Sequence, residues 1–347
     1  MPNCLKCGTA LAVNEEGVAP VLCDRCAGVA TGRARRSMAM GGLGTYPVTA
    51  ALLCINIVVY IFQQVPGLHV TFWGTNIGPL TLSGQYWRLF TAGFLHGDIL
   101  HIGFNMWCLW SLGRLSERLF GKWQTLAIYM LTGVGGALLS IAYDPARREL
   151  GASGAIFGIV GAVIAGLKFG DLNISAGEKR AISSSVISFA VLNFVLGMSN
   201  ISMFANVDNM CHLGGFVTGL LIGLPMGAFA RNNKWLQLAT LVLTSAVVAA
   251  GASELVQTHS AAAEKGIAAM AAERGDYRTA AEYMEKYTRN NPADDEALSA
   301  LGTFYVLTNQ RDKAIDAFQR ALKANPASQD AKEALQGLGS GTAPNKD

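Results

Sequence analysis

The chain has 347 residues, 51% hydrophobic and only 15% charged, where ordinary soluble domains carry about 25% charge. Nineteen charged side chains fall in residues 47–256 and 24 in the last 91, a distribution that argues against a purely soluble enzyme and for a membrane core with soluble appendages. A net charge of +3, with no basic stripe interleaved with aromatics, argues against a nucleic-acid partner.

The chain opens with Cys4-Leu-Lys-Cys7 and, after fifteen intervening residues, Cys23-Asp-Arg-Cys26. Two such knuckles offer four thiolates to a tetrahedral zinc ion, and Gly8 suits the tight turn after the first. Residues 1–36 are therefore expected to form a small zinc ribbon and linker, in which Zn2+ is structural. Cys54, Cys108 and Cys211 lie in or at the ends of apolar stretches and read as small apolar residues.

Seven apolar stretches follow: Val48–Val65, Ile99–Leu115, Trp123–Tyr143, Ser153–Leu167, Ala181–Met203, Cys211–Ala230 and Trp235–Ser253. About 17–25 apolar residues cross a bilayer as a helix, so an all-α polytopic membrane protein is expected. The fourth stretch is short and rich in glycine, which points to shielding by its neighbours. Arg33, Arg35 and Arg36 precede the first stretch. Alternate connections then carry Arg114, Arg118 and Lys122; Lys168, Lys179 and Arg180; and Arg231 and Lys234. The opposite side carries Arg88, Arg147 and Arg148. This bias predicts a cytoplasmic N-terminus, an uncleaved first span and a C-terminal tail on the outer side.

The tail, residues 260–337, has a 34-residue period. Leu301-Gly302-x-x-Tyr305, Ala314, Phe318, Ala321 and Pro326 fit the tetratricopeptide template, and Ala280, Met284 and Pro292 stand one period earlier. The earlier copy has Ala268 and Ala271 where glycine and tyrosine stand in the later one. Such repeats resemble modules that dock a protein or peptide.

Polar residues near span ends are the candidates for chemistry, because a bilayer makes them costly. The second span opens with His96-Gly-Asp-Ile-Leu-His101-Ile-Gly-Phe-Asn105, the fourth with Gly151-Ala-Ser153-Gly154, and the sixth with Asp208-Asn-Met-Cys211-His212. Even-numbered spans start on one side, so His101, Asn105, Ser153 and His212 share a depth near the outer face. The small-residue ridges Gly154-x-x-x-Gly158 and Gly215-x-x-x-Gly219 let helix backbones approach. If these ridges face each other, Ser153 and His212 come within reach. An imidazole base can then activate the serine, with His101, Asn105 and backbone N–H groups around Ser153 as oxyanion donors.

H-x4-H-x3-N, GASGAIFG and C-H-L-G-G-x-x-x-G on successive even-numbered spans resemble the rhomboid family of intramembrane serine proteases, and Trp87-Arg88 resembles that family's first-loop motif. The resemblance covers about residues 47–230. It implies a six-helix protease core; the seventh transmembrane helix, expected at 235–256 from its apolar run, lies outside that core. It also implies Ser153 as nucleophile, His212 as base and then acid, and no cofactor for catalysis. His101, Asn105 and the Ser153 amide would form the oxyanion site, supported by His96, Gly151 and Gly154. Phe157 would pack on the His212 ring. A dyad is implied, leaving Asp208 to order its loop. Substrates would be transmembrane proteins, cut in or next to their spans, and the expected location is a bacterial inner membrane. A non-catalytic relative that only binds membrane helices would lack the serine or histidine, and a channel would place ionisable groups deep in several spans.

Overall fold

The computed structural model describes residues 3–5, 7–11, 23, 43–169, 176–198, 207–228 and 233–339. Cys26, Arg33, Arg35, Arg36, Arg231 and the last residues of the expected fifth span lie outside the described residues.

Each expected span is a long helix. These are α1 (Pro47–Gln63), α5 (Ile99–Phe120), α6 (Lys122–Tyr143), α7 (Ser153–Phe169), α8 (Ala176–Met198), α9 (Asn209–Ala228) and α10 (Lys234–Thr258). Between α1 and α5 the first loop folds into three short helices, α2 (Val70–Gly74), α3 (Gly78–Leu82) and α4 (Arg88–Thr91), and the strand β1 (Asn76–Ile77). That strand pairs antiparallel with β2 (Arg148–Glu149), just ahead of α7. Helices α6, α9 and α10 are long and apolar enough to cross a membrane, and α1 and α7 are shorter apolar helices. The remaining two carry charges within their length, Arg114, Glu117 and Arg118 in α5 and Glu178, Lys179 and Arg180 in α8.

The charge in α5 is accommodated by specific partners. Glu117 is buried and accepts hydrogen bonds from the N–H groups of Val48 and Thr49, at 3.2 and 2.7 Å, and from the Thr49 hydroxyl. These N–H groups belong to the first turn of α1, which has no intrahelical acceptor for them. The carboxylate therefore caps one helix from another and places negative charge at its N-terminus.

Helix α7 is the hub. It is buried in an unbroken run from Gly154 to Val163, as a helix apolar on every side must be. Its glycine ridge meets that of α9. A Cβ on Gly215 or Gly219 would overlap the carbonyl oxygen of Gly154 or Gly158 respectively, and Gly223 lies against Ala162 in the same register. The two backbones touch, with no side chain between them. On the periphery, Val191 and Leu192 of α8 and Trp235, Leu238, Val242 and Leu243 of α10 are exposed, the surface a lipid-facing helix presents.

The tail forms five helices, α11 (Ser260–Glu273), α12 (Tyr277–Asn290), α13 (Asp295–Leu307), α14 (Arg311–Ala324) and α15 (Gln329–Gly339). The 34-residue period is visible in the backbone. Gly275 and Asn309, one period apart, both take left-handed φ values, +74° and +59°, in equivalent turns. Phe318 packs over Gly302, where a Cβ would lie 2.7 Å from the ring. Only His259 separates α10 from α11, and α11 packs on α3 of the first loop. Gly266 lies against Pro79, Arg274 stands 4.8 Å over the Phe72 ring, and Leu255 and Ala263 join Leu82 and Leu89 in one apolar cluster.

Candidate active site

The start of α7 is shaped by Gly151. Its φ of +136° lies where side chains are strained, and a Cβ there would sit 3.0 Å from the His101 ring and 3.8 Å from Ser153 Oγ. A glycine at this position therefore lets the His101 imidazole and the Ser153 hydroxyl converge on one small volume. The Gly151 N–H is held by the carbonyl of Ala92 at 2.9 Å.

Ser153, His101, Asn105 and His212 line a single cavity of about 1080 Å³, with Gly97 and Asp98 just ahead of α5, Phe157 on α7 and Phe189 on α8. Phe157 is stacked on His212, with ring centroids 4.2 Å apart and planes 10° from parallel. That contact fixes the plane of the imidazole one turn away from the serine. Phe189 continues the aromatic series from Phe157, and Phe104 continues it from Phe189.

Asp98 caps α5, accepting from the His101 N–H at 2.8 Å, and Asn105 Nδ2 donates to the His101 carbonyl at 2.9 Å. His96 is buried, and its ring meets His101 edge-on at 5.1 Å. Burial lowers the His96 pKa to about 3, so the ring is neutral and adds no charge beside His101. The main chain of His96 is clamped on both sides by the Gln63 amide, at 3.0 and 3.1 Å.

Among the described residues no hydrogen bond joins Ser153 to His212, and His212 Nδ1 has no partner. Catalytic hydrogen bonds are often long in ligand-free proteins and tighten around substrate. Asp208 is engaged elsewhere. It accepts from the Cys211 N–H at 2.9 Å and the Ser140 hydroxyl at 2.5 Å, and forms an ion pair with Arg147, whose Nε lies 3.3 Å away. It orders the start of α9 and is bonded to three groups other than the imidazole. In the first loop Arg88 is fully buried, and its guanidinium holds the carbonyls of Phe72 and Thr75, both at 2.7 Å, and Gln85 Oε1 at 2.8 Å.

Glu149 and Gln63 were not legible as site residues. Glu149 sits in a charged loop where a solvated side chain is the ordinary expectation, yet it is buried against Cys211. The only sequence signal was the scarcity of acidic residues in the core.

At the N-terminus, Cys4, Cys7 and Cys23 bring their sulfurs within 4.8 Å of one another, with Cys7 and Cys23 3.6 Å apart. Zinc–sulfur bonds of about 2.3 Å in a tetrahedron separate sulfurs by about 3.8 Å, so this cluster fits a metal ion.

Fold and site together define a multi-pass helical membrane protein with a serine and a histidine on one cavity. Residues 83–229 match the Rhomboid domain, and residues 271–338 match the tetratricopeptide repeat. The chain is 30% identical over 238 residues to Rhomboid protease AarA of Providencia stuartii, covering 60% of this chain and 82% of that protein. It is 29% identical over 288 residues to Rhomboid protease GluP of Bacillus subtilis (strain 168), covering 80% of this chain but only about half, 54%, of that relative. The putative rhomboid protease YdcA of the same bacterium is 31% identical over 182 residues, 51% of this chain and 88% of the relative. The chain belongs to the rhomboid family.

Proposed function

We propose that this protein is an intramembrane serine endopeptidase that cuts membrane proteins in or next to their transmembrane segments. The observation that carries this reading is the shared cavity in which Ser153 and His101 converge on Gly151 while Phe157 holds the His212 ring. His212 takes the Ser153 proton as the hydroxyl attacks the scissile carbonyl, then returns it to the leaving amine. His101, Asn105 and the Ser153 N–H stabilise the developing oxyanion. A helical substrate hides its carbonyls in its own hydrogen bonds, so the segment must unwind locally before attack. The test is cleavage of a single-span substrate by the full chain in liposomes. Wild type is expected to cut it and Ser153→Ala is not; equal cleavage by both sinks the reading.

The same proposal divides the chain into a zinc ribbon and linker (1–36), a six-helix core (47–230), a seventh span (235–256) and repeats (260–337). The ribbon is cytoplasmic. The active-site mouth and the repeats share the outer side, where the repeats offer a surface to a protein or peptide. Cys26 completes the Cys4, Cys7 and Cys23 set around a structural Zn2+. Elemental analysis of the purified chain is expected to give about one zinc per molecule, lost in Cys23→Ser while cleavage persists. A zinc-free wild type with reduced cysteines would reject the ribbon.

A further inference from the structure

Glu149 is an acid the dyad chemistry leaves unused. It stands four residues before Ser153, lines the same cavity and is only 7% exposed. Burial pushes its carboxyl up to about 7, against a smaller opposing effect of the Asn76 amide. An alkyl side chain would avoid that desolvation cost, so the role of the acid lies in its contacts.

Its two oxygens reach two different elements. Oε2 accepts from Asn76 Nδ2 at 2.9 Å, across the β1–β2 pair, and Asn76 Oδ1 in turn accepts from the Thr81 hydroxyl at 2.7 Å. Oε1 accepts from the Cys211 thiol at 3.5 Å. Cys211 directly precedes His212, and its sulfur is wedged between α6 and α7: a Cβ on Gly136 or Gly154 would lie 3.0 or 2.6 Å from it. One carboxyl therefore joins the strand leading to Ser153, the first loop, and the turn that presents His212.

We propose that Glu149 is a positioning residue for the dyad. By gripping Asn76 and Cys211 together it fixes the segment delivering Ser153 against the helix turn delivering His212, and so sets their separation. The proposal rests on the Ser153–His212 reading and deepens it. Misplacing reacting groups by about 1 Å can cost about 100-fold, so the effect falls on the chemical step and not on substrate docking.

The experiment uses the full chain in liposomes, with cleavage kinetics and the rate of Ser153 labelling by a fluorophosphonate. Glu149→Ala is expected to lower kcat about 10- to 100-fold with KM within about twofold. Labelling should slow by a similar factor, with the final labelled fraction unchanged. Glu149→Gln keeps hydrogen-bonding groups at both positions and is expected to restore most of the rate. Cys211→Ala breaks one grip, so its smaller loss should not multiply with that of Glu149→Ala. A merely structural role predicts a reduced labelled fraction with an unchanged rate constant. That outcome, or wild-type labelling rates in both alanine variants, overturns the proposal. If Glu149→Ala does not fold, Cys211→Ala decides: slowed labelling supports the proposal and a wild-type rate overturns it. Ser153→Ala that cleaves like wild type overturns the protease reading itself, and this proposal with it.

Discussion

His212→Ala and Ser153→Ala are each expected to lower the cleavage rate by at least about 10⁴-fold, and the double variant is expected to be no slower than either. A serine hydroxyl is a weak nucleophile until a base removes its proton, and a base without a nucleophile has nothing to activate. The two groups therefore act as a unit, and their losses do not multiply. The Phe157 stack holds the imidazole, while Asp208 is engaged by Cys211, Ser140 and Arg147. Initial rates in proteoliposomes for the two single variants and the double one check this. Losses that multiply across the pair would show that Ser153 and His212 contribute independently.

Gly215→Val is expected to be the most damaging substitution away from the chemistry. Overpacking a core typically costs about 1–3 kcal/mol, because side chains can yield. Here the new Cβ meets the backbone carbonyl of Gly154, which cannot yield without moving α7 itself. Helices α7 and α9 must separate, and Ser153 and His212 sit one on each. The expected result is both a lowered unfolding midpoint in detergent and loss of fluorophosphonate labelling. Gly251→Val is the control, since a Cβ on Gly251 has nothing within 4 Å and is expected to change neither. A labelled, stable Gly215→Val would show that the ridge is not what brings the two residues together.

The parts of this fold legible in the sequence are those governed by local pattern. Among the described residues each apolar stretch coincides with a helix, five of them apolar by composition, and His101, Asn105, Ser153 and His212, which the span count groups together, line one cavity. The structure then brought the two glycine ridges into contact. The period of 34 residues likewise marked the repeats, down to the paired turns at Gly275 and Asn309. Boundaries differ by a few residues where charge begins or ends a helix: the fifth apolar stretch begins at Ala181, and its helix starts at Ala176, taking in Glu178, Lys179 and Arg180. What stayed hidden depends on partners far apart in the chain. Nothing in the neighbourhood of Glu117 signals that it caps α1, 68 residues away, and nothing near Glu149 signals Cys211, 62 residues on. The first loop has no periodicity to read, because its order comes from the buried Arg88 guanidinium gathering carbonyls from Phe72 and Thr75.

The single-residue joint at His259 makes the angular phase of α10 matter. An α-helix turns by about 100° and advances about 1.5 Å for each residue. One residue added or removed along α10 would leave a segment that spans lipid equally well, yet it would rotate α11 so that Gly266 no longer faced Pro79. The length of this lipid-facing helix is therefore set twice, once by the thickness of the bilayer and once by the angle at which a soluble module must arrive on the first loop.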